Sequence, residues 1–475
     1  MTAALWQLDA VELSALTRSA EVSCREVVQS TLDRLHSVNP VVNAITLSLD
    51  ESALAQADAA DSQRSSGASL GALFGVPFTT KINTDQVGCP TDDGLINFVK
   101  VMPKTDSPLV ARLRAAGGIS IGRTNSPAFG LVQNTINLLH GETRNPWDRK
   151  IMCGGSSGGA AVAVSTGIGP IAQGNDLAGS VRWPALCNGV IGLRPSPGLI
   201  PYYNPSFRGG MIFCEQLMTV HGPITRTVGD ARLALKVMAG VDAHDPVTVP
   251  VDVFGSRPSV SKRVALLKGQ PGKFNDEFQP CTQQAVQRAG EILAAAGYVV
   301  EEVAPPPVEE VIELFDAIVW TELVNKLQPV LGKFVDPYMA GSLKMAATCT
   351  VDLERYMAAL RERDHVLRKW QLFMETYPLV VMPGSTSPDI PVLTIDNADN
   401  LIRSTARCLS HLRLAPLLGL PAISVPLSVT PEVFGGRPLG VDIMAPRYRD
   451  DLCLEAAEVI ELHEGKRQPI DPQWH

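Results

Sequence analysis

No uninterrupted apolar run in this 475-residue chain approaches the roughly 18 residues that a membrane span needs. The residues after Met1 lack a basic stretch followed by an apolar one, so no signal peptide is expected. Basic charge is not in excess. The 41 Lys and Arg stand against 49 Asp and Glu, a formal net charge of −8, which argues against a broad nucleic-acid-binding face. Paired cysteines are missing as well: the nine present are scattered singly and in odd number. They read as reduced, mostly buried thiols of a cytoplasmic protein, not as a disulfide framework or a zinc site. Aromatic residues make up only 5% of a chain that is 45% apolar, the balance of an ordinary soluble protein. No repeat, low-complexity segment or long polar linker divides it, so a single domain over 1–475 is expected.

What the chain does carry is a pair of glycine-framed serines between Cys153 and Pro195. Ser156, beside Ser157, and Ser180 stand 24 positions apart. Between them, small residues from Gly159 to Thr166 predict a helix, and the apolar run Gly169 to Gly174 predicts a buried strand. About nine helical residues travel roughly 14 Å outward. About five strand residues travel roughly 17 Å back. The two serines can therefore lie side by side. Glycine around them leaves amide N–H groups uncovered and lets a substrate approach. This frame suggests acyl transfer.

The N-terminal part, about 1–65, reads as helices. Asp9 to Glu12 and Ser23 to Glu26 have capping-box spacing, Asn39-Pro40 predicts the end of the second helix, and a third is expected from Asp50 to about Arg64. Strand-like runs follow at Leu73–Thr80, Ile119–Gly122, Val190–Leu193 and Val264–Leu267, with helical segments between them. The alternation predicts an α/β fold: a large mixed, mostly parallel sheet covered on both faces by helices. A mostly helical cap is expected over about 281–370. Further strands are expected near Leu379, Ala422 and Gly440, and a closing helix over about Arg449–Glu464.

A serine hydroxyl needs a neighbouring base to become a nucleophile. Of the histidines, only His140 and His221 lie near the central stretch, and neither sits in a triad motif; both read as surface or hydrogen-bonded residues. Lys81 is the other candidate. It ends an apolar strand, where it is either a solvated strand end or a buried amine. Burial disfavours the charged form, which would make Lys81 a base near neutral pH. Cys153 and Cys187 read as packing residues.

GVPFTTKINTDQVG at 75–88, GRTNSPAFG at 122–130, TRNPWD at 143–148, GGSSGG at 154–159, NDLAGSVRWPA at 175–185 and GVIGLRPSPG at 189–198 occur in one order. HGPITRTVGDA at 221–231, VVMPGSTSP at 380–388, LLGLPAISVPL at 417–427 and RPLGVDIMAP at 437–446 continue it. In order and spacing the chain resembles the amidase signature hydrolases over nearly its whole length, weakly between about 270 and 370. The resemblance implies a Ser–cisSer–Lys triad on Ser180, Ser156 and Lys81. Ser180 would attack the amide carbonyl, and Ser156, after a cis peptide, would carry protons to and from neutral Lys81. It implies an oxyanion hole from the backbone N–H groups of Leu177, Ala178, Gly179 and Ser180. Asp176 and Arg182 would brace the nucleophile loop, and Ser157 would be structural.

The chain departs from the family pattern at four places. Ile82 stands where the family has Asp, Ala178 replaces a glycine, Cys153 stands where Pro is common, and Arg194 replaces Lys. Ala178 is the departure that bears on the acyl site, since alanine reaches positive φ only at a cost. Candidate apolar walls are Phe129, Trp183, Phe207, Met211 and Trp320. The expected activity is hydrolysis of a small-molecule carboxamide, aryl or alkyl, with esters as side substrates. No metal or other cofactor is expected, and no nucleic-acid or membrane partner; the chain would act alone or as a homodimer. Within the family, the glutaminase subunit of the tRNA-dependent amidotransferase is the alternative. A nucleotide-binding or scaffold protein is a remote one, because GGSSGG lacks the Gly-Lys-Ser/Thr ending of a phosphate loop.

Overall fold

The capping boxes form as their spacing predicts. Asp9 and Ser23 accept the N–H groups of Glu12 and Glu26, whose carboxylates reach back to the cap N–H, and helices Ala10–Ser19 and Cys24–Val42 begin there. The second helix does not stop at Asn39-Pro40. It runs through Pro40 to Val42. A proline in the last turn forfeits one N–H bond. Asn39 then ends the helix from its side chain: Oδ1 accepts the N–H groups of Ala44 and Ile45, and Asn43 leaves in the left-handed region. The third helix, Asp50–Ser65, is as expected.

The computed structural model describes residues 4–474 apart from 208, 257, 269–277, 328–335 and 428–435. Residues 1–3 of the expected N-terminal helices and 328–335 of the expected cap therefore lie outside the described residues. The strands, in chain order, are β1 (Ile45–Ser48), β2 (Pro77–Lys81), β3 (Ile119–Thr124), β4 (Ile136–Asn137), β5 (Gly141–Glu142), β6 (Ile171–Asp176), β7 (Ile191–Arg194), β8 (Val220–Thr225), β9 (Arg263–Leu266), β10 (Val299–Glu302), β11 (Leu379–Pro383), β12 (Ala422–Leu427) and β13 (Leu439–Met444). β4 and β5 form a small ribbon. Among the described residues the other 11 make one sheet, ordered β1-β3-β2-β6-β8-β7-β12-β13-β11-β9-β10.

The sheet is mixed, as expected, but not mostly parallel. Only β3–β2, β2–β6, β11–β9 and β9–β10 are parallel. The six remaining neighbours are antiparallel. β7–β8 and β12–β13 are consecutive strands lying side by side, which needs no crossover. An alternation of strands and helices in sequence does not separate that arrangement from a parallel one.

Helices cover both faces, and the strands alternate between them. Val264, Leu266, Leu379, Val381 and Ile443 join one core with the helices Pro108–Ala115, Val228–Met238, Pro280–Ala295 and Asp450–Glu464. Ala265, Val380, Met382 and Met444 join the core of the opposite face. The expected helical cap is helical except for β10, which extends the sheet edge, and its first helix, Pro280–Ala295, belongs to the main core. Among the described residues no helix is long and apolar enough to cross a membrane.

The helix Gly158–Ser165 is buried on every side. It must be built of small residues, since a Cβ on Gly159 would lie 2.5 Å from the Asn125 backbone nitrogen. Lys81 ends β2 and Asp176 ends β6. These strands are parallel neighbours, with Phe78 opposite Ile171 and Thr79 opposite Ala172, so both carboxyl ends open on one edge. That edge is where open α/β sheets bind ligands.

Candidate active site

Every residue of β2 is buried, and Lys81 at its end is 0% exposed. Its Nζ lies 2.6 Å from Ser156 Oγ, 2.7 Å from Asn175 Oδ1 and 3.2 Å from Ser157 Oγ. Burial pushes its ammonium from an ordinary 10.5 down to about 7, against the opposing pull of the Asp93 and Asp176 carboxylates. The solvated reading of Lys81 is excluded. The Gly155–Ser156 peptide bond is cis.

The helix and strand between the two serines return the chain as their lengths suggest. Ser157 N–H donates to the Ser180 carbonyl at 3.2 Å, and Asn175 N–H to Ser157 Oγ at 3.4 Å. Ser180 itself is half-buried. Gly130 closes the other side of Ser156: a Cβ there would stand 3.2 Å from Ser156 Oγ.

The loop carrying Ser180 is organised by Asp176. Its carboxylate accepts Gly179 N–H at 2.9 Å and Val181 N–H at 3.3 Å. The Gly179 amide is thus committed, and it leaves the expected oxyanion donors. The N–H groups of Leu177, Ala178 and Ser180 meet no protein acceptor among the described residues. Positive φ falls on Gly179, at 103°, and not on Ala178, so the alanine carries no backbone cost.

Asp176 and Arg182 are both fully buried, not a solvated pair. Arg182 Nε donates to Asp176 Oδ2 at 3.0 Å, and its Nη1 to Asp442 Oδ2 at 2.8 Å. Arg194 donates to the Asp176 carbonyl at 2.6 Å. Burial alone would raise the Asp176 carboxyl, but the two guanidiniums outweigh it and hold it at about 2. Two carboxylates and two guanidiniums thus neutralise one another beneath the loop.

Sequence reasoning missed Asn175, Gln173, Asp442 and the role of Arg194. Gln173 Oε1 accepts Lys81 N–H at 3.1 Å, so its Nε2 donates, to the Gly174 carbonyl at 2.8 Å and to His221 Nδ1 at 3.0 Å. That pattern puts the His221 proton on Nε2. Burial pushes His221 down to about 3, so it adds no positive charge beside Lys81. A usable signal for Gln173 and Asn175 existed: they stand two apart, on one face of the strand that leads into the loop of Ser180.

The candidate walls divide. Phe129 precedes Gly130 and meets Phe98 edge-on at 5.7 Å. Phe207 is exposed, beneath Lys326 Nζ at 5.3 Å, and Met211 is half-buried. Trp183 is core, packed with Met152, Ile390 and Leu412, its indole N–H on the Gln133 carbonyl. Trp320 is core as well, with its indole N–H on Asp316. Both are large enough that burial in a helix–helix or helix–sheet contact outweighs exposure at a mouth. Cys153 is buried, its thiol pushed up to about 12. His140 Nε2 faces Asp92 at 3.1 Å, a structural contact.

Comparison with known proteins places the chemistry. The Indoleacetamide hydrolase of Bradyrhizobium diazoefficiens is 39% identical over 97% of this chain and 87% of that protein. The Acylamidase of Rhodococcus erythropolis is 32% identical over 96% of this chain and 95% of that protein. A solved bacterial aryl acylamidase of the amidase signature enzymes superposes with a TM-score of 0.81, at 26% identity over 96% of each chain. The fold and these likenesses define an amide-cleaving hydrolase. A model of the Amidase family matches residues 26–454. The chain belongs to the amidase family.

Proposed function

We propose that the protein hydrolyses the primary amide of an arylacetic acid, releasing ammonia, through an acyl-enzyme on Ser180. The observation that carries the mechanism is the contact between fully buried Lys81 and Ser156 Oγ at 2.6 Å, with the amine held near neutrality. The 39% identity to an indoleacetamide hydrolase and the half-buried Phe129 beside Gly130 support an aryl acyl group.

Ser180 Oγ attacks the carbonyl carbon. Its proton moves to Ser156 Oγ as the Ser156 proton moves to the Lys81 lone pair. Asn175 Oδ1 can only accept, so it holds one Nζ–H and leaves the lone pair for Ser156. The N–H groups of Leu177, Ala178 and Ser180 stabilise the oxyanion, each such donor contributing about 3 kcal/mol in the transition state. The C–N bond breaks as Lys81 returns its proton through Ser156 to the leaving nitrogen. Water then attacks the acyl ester, its proton passing through Ser156 to Lys81; the C–Oγ bond breaks as that proton returns to Ser180 Oγ, giving the carboxylic acid and restoring Ser180.

The test is ammonia release from indole, phenyl and aliphatic acetamides and from glutamine, by the chain purified alone. Arylacetamides should turn over, and Ser180→Ala should lose about 10⁴-fold or more in kcat. Undiminished turnover in Ser180→Ala would sink the mechanism. Preference for glutamine, with activity only beside a second subunit, would sink the substrate assignment.

A further inference from the structure

TRNPWD at 143–148 contributes no group to the proposed relay, yet its asparagine stands between the two serine segments. Asn145 is fully buried, and its side-chain amide donates to two main-chain carbonyls. One is that of Met152 at 3.1 Å and the other that of Cys187 at 3.1 Å. Trp147 N–H donates to Asn145 Oδ1 at 2.9 Å, which fixes the amide in that orientation. Trp474 Nε1–H donates to the Asn145 carbonyl at 2.8 Å and holds its backbone in turn.

Asn188 does the same from the other side. It is 1% exposed, and its Nδ2 donates to the Cys153 carbonyl at 2.8 Å and to the Pro184 carbonyl at 2.7 Å. Its own carbonyl accepts Trp147 Nε1–H at 3.1 Å, so both asparagines are tied to one tryptophan. Asn188 Oδ1 has no hydrogen-bond partner among the described residues, so the nitrogen alone accounts for the buried amide.

Met152 and Cys153 are consecutive residues on the approach to Ser156. The Gly154 carbonyl, next in line, accepts Thr135 Oγ1–H at 3.0 Å, and an added Cβ on Gly154 would lie 2.5 Å from Pro184 Cα. Pro184, Cys187 and Asn188 belong to the helix Arg182–Asn188, which begins two residues after Ser180. Trp183 N–H in its first turn donates to the Gly179 carbonyl at 2.7 Å. The two amides therefore join the segment that carries Ser156 to the helix that carries Ser180.

We infer that Asn145 and Asn188 are positioning residues of the reaction: a pair of buried amides that couples the Ser156 segment to the helix behind Ser180 and sets the distance over which a proton passes between the two hydroxyls. The inference rests on the proposed Ser180–Ser156–Lys81 relay and extends it. Neither asparagine belongs to the relay itself. Removing one amide takes the donor from two buried carbonyls and frees the segments to part. A misplacement of about 1 Å costs roughly 10²-fold in rate. That loss falls unevenly on different substrates. Ser156 takes the Ser180 proton for any acyl substrate, but the return of a proton matters only where the leaving atom needs one. A leaving amine needs it; a nitrophenolate departs as the anion.

The experiment compares phenylacetamide, or whichever amide wild type turns over, with the para-nitrophenyl ester of the same acid. Both give one acyl-enzyme, and kcat/KM reports the steps through its formation. Wild type, Asn145→Ala, Asn188→Ala and Ser156→Ala are assayed in parallel. The amount of folded protein cancels in the amide-to-ester ratio. Ser156→Ala should lower that ratio by about 100-fold or more, the worth of a positioned proton donor. Each asparagine variant should lower it by about 10-fold or more. Equal losses on amide and ester in the asparagine variants, or no loss on either, would overturn the inference while Ser156→Ala still lowers the ratio. An asparagine whose variant does not fold belongs to the fold alone, and that outcome overturns its part of the inference. A ratio unmoved in Ser156→Ala would instead remove the proposed relay, and this inference with it.

Discussion

Asn175 Oδ1 accepts a hydrogen bond from Lys81 Nζ at 2.7 Å, and its own amide nitrogen donates to Asn83 Oδ1 at 3.0 Å. The second bond fixes the orientation of the first. Asn175 therefore gives Lys81 a neutral acceptor where a carboxylate would fit equally well in size.

Asn175→Asp should show what that neutrality is for. A carboxylate in contact with an ammonium favours the charged form and raises its pKa by about 1–3 units. In the proposed mechanism Lys81 takes a proton, which it can do only when neutral. The wild-type rate should rise with pH through about 7 and then level. In Asn175→Asp that rise should move at least one unit to higher pH, with a lower rate at neutrality. A pH–rate profile for kcat/KM checks this, and an unmoved midpoint would contradict it.

Lys81→Met should abolish turnover while leaving a folded protein. Its effect on stability has a definite sign. Between about 7 and 10.5 the unfolded chain holds the lysine proton and the folded chain does not, so wild-type stability rises with pH across that window. Below 7 both states hold the proton and this slope vanishes. The methionine variant lacks the slope, so any stability it has over wild type should shrink by about 3 kcal/mol from pH 7 to about pH 9.5. Urea midpoints at the two pH values measure it.

Asp176→Asn should cost both stability and rate. It removes one of two carboxylates from a fully buried pair of guanidiniums and loosens the Gly179 and Val181 amides. Breaking such a pair costs about 3 kcal/mol or more. Chemical denaturation should report that loss, and kcat should fall further than KM rises, since the loop positions Ser180, the proposed nucleophile.

Gly179 and Ala178 should respond in opposite ways to exchange. At Gly179, φ is 103° and an added Cβ would lie 2.7 Å from Leu412 Cδ1. Gly179→Ala should cost about 1–3 kcal/mol and most of the activity. Ala178→Gly meets neither constraint and should cost about 0.5–1 kcal/mol at most, with activity retained. Steady-state kinetics and thermal midpoints of the two variants decide it.

Much of the site was legible because its signals are local. Ser156, Ser180 and Lys81 stand in short motifs whose spacing survives any packing. The helix and strand between the serines could be read from residue size and apolar runs, and their lengths bring Ser157 to the Ser180 carbonyl. The capping boxes at Asp9 and Ser23 are bonds over three residues, and they form where the sequence puts them. Pro40 shows the limit even of a local rule: the Asn39 side chain, bonding to Ala44 and Ile45, replaced the expected stop.

The sequence by itself determined the α/β class, the two serine loops and the lysine that ends a buried strand, because each depends on neighbours within a few residues. Only the tertiary structure decided strand direction, which depends on how distant chain segments pair. It also decided that Trp183 and Trp320 are core and that Gly179, not Ala178, takes the positive φ. The partners of Arg182 follow the same logic: Asp442 is 260 residues away and reaches it only because the sheet brings β13 beneath the loop of Ser180. Burial, which pushes the Lys81 amine down to about 7, is a property of the whole packed molecule and of no single stretch.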